Sequence, residues 1–364
     1  MKIDKLVLPH VRTLSAYQAK EIPCRAKLDA NESPFGFSIP SDIVRSLPTN
    51  RYPDPEGLAL KEVIARELKV KPANILLGNG SDEIIYYLIT TFGGPVLFPV
   101  PTFTMFGIIA RALGEERIAV PLDGAFDLDL KKMLPAIRRE KPKLIFFSSP
   151  NNPTGNCFSV ERILKIVESA AGRAIVVVDE AYQPFASEQG FLPLLGDYPH
   201  LVILRTLSKI GLAGLRVGFL VAGEEIVREV NKVRLPFNVN AFSQAVALDV
   251  LLNRKAIRKN IRVIVTERDR LLGALSKIDG VVPYPSEANF ILFRVTDPDK
   301  THRALLEMGV LVRNMKGVVD GCLRVTVGTP GENRMFVAAL RKIAGKEGFS
   351  GRHGKSRDPL RMTK

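Results

Sequence analysis

The sequence predicts an α/β protein in which a large domain with a mostly parallel sheet flanked by helices is joined to a smaller α+β domain. Two observations carry this. Short apolar runs rich in Val, Ile, Leu and Phe recur at residues 74–77, 96–100, 143–148, 174–179, 201–206 and 217–222, and these read as buried strands. Between them, residues 57–69, 82–92, 128–139, 160–171 and 223–234 repeat apolar side chains every three or four positions, the pattern of helices lying on a sheet face. From 241 to about 278 a nearly uninterrupted helical pattern follows. The rhythm then changes to strand 289–295, helix 299–308, strand 323–327 and helix 332–343, so a second domain is expected to begin near residue 250. The organisation predicted is an N-terminal arm at 1–28, a large domain at 29–250, a small domain at 251–344 that includes part of the arm, and a disordered basic tail at 345–364.

A chain of 364 residues exceeds what one hydrophobic core usually organises, and at 46% hydrophobic and 25% charged it is neither fibrous nor disordered. Cys24, Cys157 and Cys322 are odd in number and far apart, which argues against a disulfide framework or thiolate zinc site and fits a reducing cytoplasm. His10, His200, His302 and His353 stand alone without metal-ligand spacing. The opening residues carry charges and a proline where a signal peptide needs an apolar run, and no membrane-spanning stretch follows, so a soluble, cytoplasmic protein is expected. The net charge is +14; residues 345–364 hold six Lys/Arg against two acids and supply +4 of it, which leaves +10 for the body. Such a surplus favours anionic ligands. No zinc-finger or stacking-aromatic pattern accompanies it, so specific nucleic-acid recognition is not expected.

In open α/β sheets ligands bind beyond the carboxyl ends of the strands, so polar residues that follow apolar runs are the places to look. One run ends in Asp179-Glu180-Ala181-Tyr182, which taken alone could be an acidic helix cap. Another ends in Lys209, followed by a glycine-spaced segment leading to Arg216. Burial lowers an amine's pKa and leaves it nucleophilic, as a lysine forming an imine with a carbonyl cofactor requires. Pyridoxal 5'-phosphate is the candidate. Its ring nitrogen stays protonated beside a carboxylate, a role that suits Asp179, while Tyr182 and the amide of Asn152 could donate to its 3-oxygen. Gly78-Asn79-Gly80-Ser81-Asp82-Glu83 lies between a strand and a helix, where free N–H groups face an anion, and Arg216, Thr206 and Ser208 can add donors to the same phosphate.

This constellation resembles the fold-type I, aspartate aminotransferase-like pyridoxal-phosphate enzymes, and within them the histidinol-phosphate aminotransferases. The resemblance runs from about Val11 to Ile343. Its motifs are Val11-Arg12-x-Leu14-x-x-Tyr17, Leu28-Asp29-Ala30-Asn31-Glu32-Ser33-Pro34-x-Gly36, Tyr52-Pro53-Asp54-Pro55, the glycine loop, Pro101-Thr102-Phe103, the Asn152 and Asp179 segments, Thr206-Leu207-Ser208-Lys209, Gly309-Val310-Leu311-Val312-Arg313 and Leu323-Arg324-Val325-Thr326-Val327-Gly328-Thr329. It implies that Lys209 is the Schiff-base lysine and proton shuttle, and that Phe103 stacks on the cofactor ring, although many relatives have tyrosine there. It further implies that Tyr52 reaches the cofactor phosphate of a neighbouring subunit in a homodimer, that Arg313 and Arg324 hold the substrate's anionic groups, that Tyr17 donates to the substrate phosphate, and that Asn31 or Glu32 meets the imidazole. The activity implied is transamination of L-histidinol phosphate with 2-oxoglutarate, giving imidazole-acetol phosphate and glutamate in histidine biosynthesis. Threonine-phosphate decarboxylase and aromatic amino-acid aminotransferase are same-fold alternatives, because the motifs do not fix which substrate bond stands perpendicular to the ring. A cofactor-binding or nucleic-acid-binding regulator is the alternative outside enzymes.

Overall fold

The computed structural model describes residues 2–16 and 22–346. Its first strand, β1 (Ala26–Leu28), belongs to the smaller of two sheets. The next seven build the larger: β2 (Ile75–Asn79), β3 (Val96–Val100), β4 (Arg117–Pro121), β5 (Leu144–Ser148), β6 (Ile175–Asp179), β7 (Leu201–Thr206) and β8 (Val217–Ala222), in the order β2-β8-β7-β6-β5-β3-β4. Strands β3 to β7 pair in parallel, whereas β8 runs against both β7 and β2.

The continuous apolar runs follow from burial on both faces, because side chains alternate sides along a strand. On one side Ile145, Phe147, Val176 and Val178 pack with helices Leu58–Leu68, Leu130–Glu140 and Val160–Ala170. On the other, Leu144, Phe146 and Val177 pack with helices Ser81–Phe92, Met105–Ala112 and Glu224–Asn231.

The smaller sheet runs β1-β11-β12-β10-β9, with β9 (Val282–Pro283), β10 (Phe290–Arg294), β11 (Val310–Asn314) and β12 (Cys322–Thr326). Its core draws on Leu271 and Leu275 of helix Arg254–Leu275 and on Phe336, Leu340 and Ile343 of helix Pro330–Lys346. The two sheets are tied across their boundary: Arg268 Nη1 donates to Phe185 O at 3.0 Å and Glu287 N to Gly155 O at 2.7 Å.

The helical pattern read as unbroken from 241 to about 278 is divided. Helix Ala241–Leu252 ends at Asn253, whose φ of −97° and ψ of 58° leave the helical region, and Arg254–Leu275 starts afresh. Of the basic tail, residues 347–364 lie outside the described residues. Among the described residues no helix is long and apolar enough to cross a membrane.

Topology assembles one polar edge. Parallel β5, β6 and β7 end together, with Ser148 opposite Asp179; antiparallel β8 begins at the same edge, with Gly218 opposite both Thr206 and Gly78. The fully buried Phe147 lies one residue before Ser148 and braces this edge from below. Phe147→Ala is expected to cost about 3–5 kcal/mol, read as a lower urea midpoint. An unchanged midpoint would show that the edge does not depend on this packing.

Candidate active site

Asp179 closes β6 and is 3% exposed. Its Oδ1 accepts the Ala181 amide at 2.9 Å, a local turn rather than the helix cap it could have been. Burial pushes its carboxyl up to about 7, Asp82 and Glu180 push the same way, and the Ala181 amide and Lys209 pull against them. The adjacent Glu180, also buried, is held by two bonds from Arg205, at 2.9 and 2.7 Å. No cation pairs with Asp179 among the described residues. Two neighbouring buried carboxylates therefore differ: Glu180 has its own guanidinium, and Asp179 has no ion-pair partner among the described residues, so a cation brought by a ligand would offset its burial.

Lys209 sits half-buried in the 3-10 turn Ser208–Ile210 that follows β7, its Nζ 5.8 Å from the centre of the Tyr182 ring. Tyr182 is 4% exposed, packs edge-on against Phe290 and accepts a hydrogen bond from Asn31 Nδ2 at 3.0 Å. Asn152 follows β5, and its Oδ1 accepts from Arg324 Nη1 at 2.5 Å, so its Nδ2 is the end left for a ligand. Arg324 also donates to Asp29 O at 2.9 Å and lies 5.2 Å from the Phe290 ring centre.

A second cluster forms where β2, β7 and β8 meet. Gly80, at φ +83°, opens helix Ser81–Phe92, so the amides of Ser81 and Asp82 are among those without intrahelical partners. A Cβ on Gly218 would come within 2.5 Å of Ser81 N, and one on Gly80 within 2.5 Å of Arg216 Nη2. The loop is thus pressed onto β8 beside the guanidinium. Arg216 reaches Ser208 Oγ at 3.5 Å and Asp82 Oδ2 at 3.6 Å, and Thr206 Oγ1 donates to Ser208 Oγ at 3.0 Å. Amides, hydroxyls and a guanidinium converge as an anion such as a phosphate requires.

The remaining candidates stand differently. Half-buried Phe103 packs edge-on against Phe106 at 5.5 Å, which is itself stacked on Phe146 of β5. Arg313 is exposed on β11, and its Cα is the register partner of Arg324. Tyr52 is 81% exposed and stacks on Phe237 at 4.5 Å. Asn31 is 2% exposed and has protein partners at its amide, carbonyl and carboxamide. Glu32 pairs with Lys27. Tyr17 lies outside the described residues. Sequence reasoning passed over Asn151: fully buried, it donates to Pro101 O and Thr154 Oγ1 and accepts from Thr102, tying the Phe103 loop to the Asn152 loop. Among the described residues no cluster of His, Cys, Asp and Glu could hold a metal.

A half-buried lysine, a buried carboxylate without its own cation and an anion cradle, all at one edge of this sheet, define a pyridoxal-phosphate enzyme with the aspartate aminotransferase-like fold. Residues 15–340 match the family model for class I and II aminotransferases. The histidinol-phosphate aminotransferase of Aquifex aeolicus is 44% identical over 353 residues, 93% of this chain and 98% of that protein. The protein of the same name from Caldanaerobacter subterraneus subsp. tengcongensis is 40% identical over 354 residues, 94% and 99% of the two chains. The crystal structure of histidinol-phosphate aminotransferase from Sinorhizobium meliloti in complex with pyridoxal-5'-phosphate superposes with a TM-score of 0.83 at 25% identity, covering 94% of this chain and 98% of that one. The chain belongs to the class I and II aminotransferase family.

Gly218→Ala tests the cradle. Its methyl group meets backbone, which cannot swing aside, so affinity for pyridoxal phosphate is expected to fall about 10- to 100-fold by equilibrium dialysis; undiminished affinity would remove the cradle from the site.

Proposed function

We propose that this chain transfers the amino group of L-histidinol phosphate to 2-oxoglutarate, giving imidazole-acetol phosphate and glutamate in histidine biosynthesis. What carries the reading is end-to-end identity of 40–44% to relatives so named. Its physical ground is the arginine pair. Arg313 and Arg324 face each other across antiparallel β11 and β12, where like charges disfavour each other. No carboxylate pairs with Arg313 among the described residues, so an anion set between the two relieves that repulsion. Histidinol phosphate brings a phosphate and 2-oxoglutarate brings two carboxylates, so one cationic pair serves both half-reactions.

Bound pyridoxal phosphate supplies an electron sink that makes the substrate's α-hydrogen acidic. The chain's own residues do the rest. Asp179 would keep a proton on the ring nitrogen, and Gly80, Ser81, Asp82, Thr206, Ser208 and Arg216 would hold the phosphate. Phe103 would cover one ring face, while Asn152 Nδ2 and the Tyr182 hydroxyl would donate to the 3-oxygen. Lys209 Nζ would anchor the ring and would be the base that takes up the substrate's α-proton and gives it back. Tyr17 is assigned to the substrate phosphate. Tyr52, exposed and stacked on the less exposed Phe237, is assigned to the phosphate of a partner subunit, which makes the working form a homodimer. A cytoplasmic setting belongs to the same reading and suits three free cysteines.

The test adds histidinol phosphate, phenylalanine or threonine phosphate in turn to loaded protein without acceptor. Loss of the visible cofactor band with the first alone supports the reading, whereas carbon dioxide release from threonine phosphate would reassign the chain as a decarboxylase. Arg313→Ala is expected to raise KM for histidinol phosphate about 10- to 100-fold while leaving cofactor affinity unchanged; an unaltered KM would exclude Arg313 from the substrate.

A further inference from the structure

We propose that Asn31 is a positioning residue: its carboxamide fixes the direction of the Tyr182 O–H and so delivers that hydrogen to the ring oxygen of the bound cofactor. The inference rests on the reading of Lys209 and Asp179 as residues that hold pyridoxal phosphate, and it replaces the contact with imidazole that resemblance implied for Asn31.

The argument is one of hydrogen-bond capacity. Asn31 Nδ2 donates to the phenol oxygen at 3.0 Å, and an amide NH2 cannot accept, so the phenol's single hydrogen must point elsewhere. Among the described residues nothing accepts it, although Tyr182 is 4% exposed. A buried hydroxyl with its acceptor side filled and its donor side open fits a ligand that brings an acceptor oxygen.

The carboxamide's orientation is set by its surroundings. Thr326 Oγ1 accepts the Asn31 N–H at 2.9 Å and gives its own hydrogen to Asn31 Oδ1 at 3.4 Å. Turned end for end, the amide would leave the hydrogen of Thr326, itself 2% exposed, without an acceptor among the described residues. The backbone is held as well: Asn31 has φ +54°, a left-handed conformation that asparagine tolerates, and its carbonyl accepts from Asn289 Nδ2 at 3.0 Å. Thr326 lies two residues beyond Arg324 on β12. The strand that carries the substrate arginine therefore also sets the phenol of the cofactor pocket, through Asn31.

The test follows the visible absorption of loaded, substrate-free protein against pH for the native chain, Asn31→Asp, Asn31→Gly and Tyr182→Phe, and for each Asn31 change combined with Tyr182→Phe. A donor on the ring oxygen draws negative charge from it, so the chromophore's proton leaves at lower pH. Asn31→Asp keeps size and backbone preference but offers an acceptor that captures the phenol's hydrogen; the midpoint is expected to rise by about one pH unit, towards that of Tyr182→Phe. Asn31→Gly keeps the left-handed backbone without the amide and is expected to shift the midpoint in the same direction by less. In the Tyr182→Phe background neither change is expected to move the midpoint further. A native midpoint in both single variants, even with a lower melting temperature, would overturn the proposal, as would an equal shift in the Tyr182→Phe background. Absence of the visible band from the native protein would instead overturn the underlying reading of Lys209.

Discussion

The site depends on one carboxylate kept from water. Asp179 ends the central strand of the parallel run β5-β6-β7 and is buried without a cation of its own among the described residues, while Glu180 beside it is satisfied by Arg205. A buried charge without a counterion is costly, and the protein's answer is to hold a proton there up to about pH 7. A ligand carrying a protonated ring nitrogen removes that cost, so binding energy and electronic tuning come from the same contact. The cradle around Gly80 and Arg216 fixes where the ligand's anion goes.

The second constraint is that residues beside both sheets build the site. Arg324 of β12 bonds Asn152 and Asp29, Asn31 joins Thr326 to Tyr182, and Glu287 bonds both Gly155 and Ser187. The bonds to Asn152, Tyr182, Gly155 and Ser187 link the smaller sheet, or the segments flanking its strands, to loops at the edge of the larger. Groups beside the two sheets are thus mechanically one assembly, and a change at Thr326 on β12 reaches the Tyr182 phenol through Asn31.

Much of this was legible in the chain. Strands buried on both faces read as unbroken apolar runs, and β3, β7 and β8 were located to the residue; the polar residues that follow β5, β6 and β7 were the ones that converge. The missed elements have physical reasons. β4 is an edge strand that buries only Val120 and ends in proline, and helix Met105–Ala112 is short and contains Gly107. The break at Asn253 left no gap in the apolar rhythm on either side. Asn31 read as a substrate contact because its partners, Tyr182, Asn289 and Thr326, lie 151 to 295 positions away. Likewise the spacing of Arg313 and Arg324 gave no hint that they stand directly opposite, which only strand register supplies.

The most direct test is the ionisation of Asp179 itself, read from its carboxyl carbon by isotope-labelled NMR with and without pyridoxal phosphate. In the cofactor-free protein the carboxyl is expected to titrate near pH 7, displaced upward by burial, and in the loaded protein to stay ionised through the neutral range because a ring N–H now faces it. A carboxyl that titrates in the ordinary range when free, and does not respond when the cofactor binds, would contradict the account.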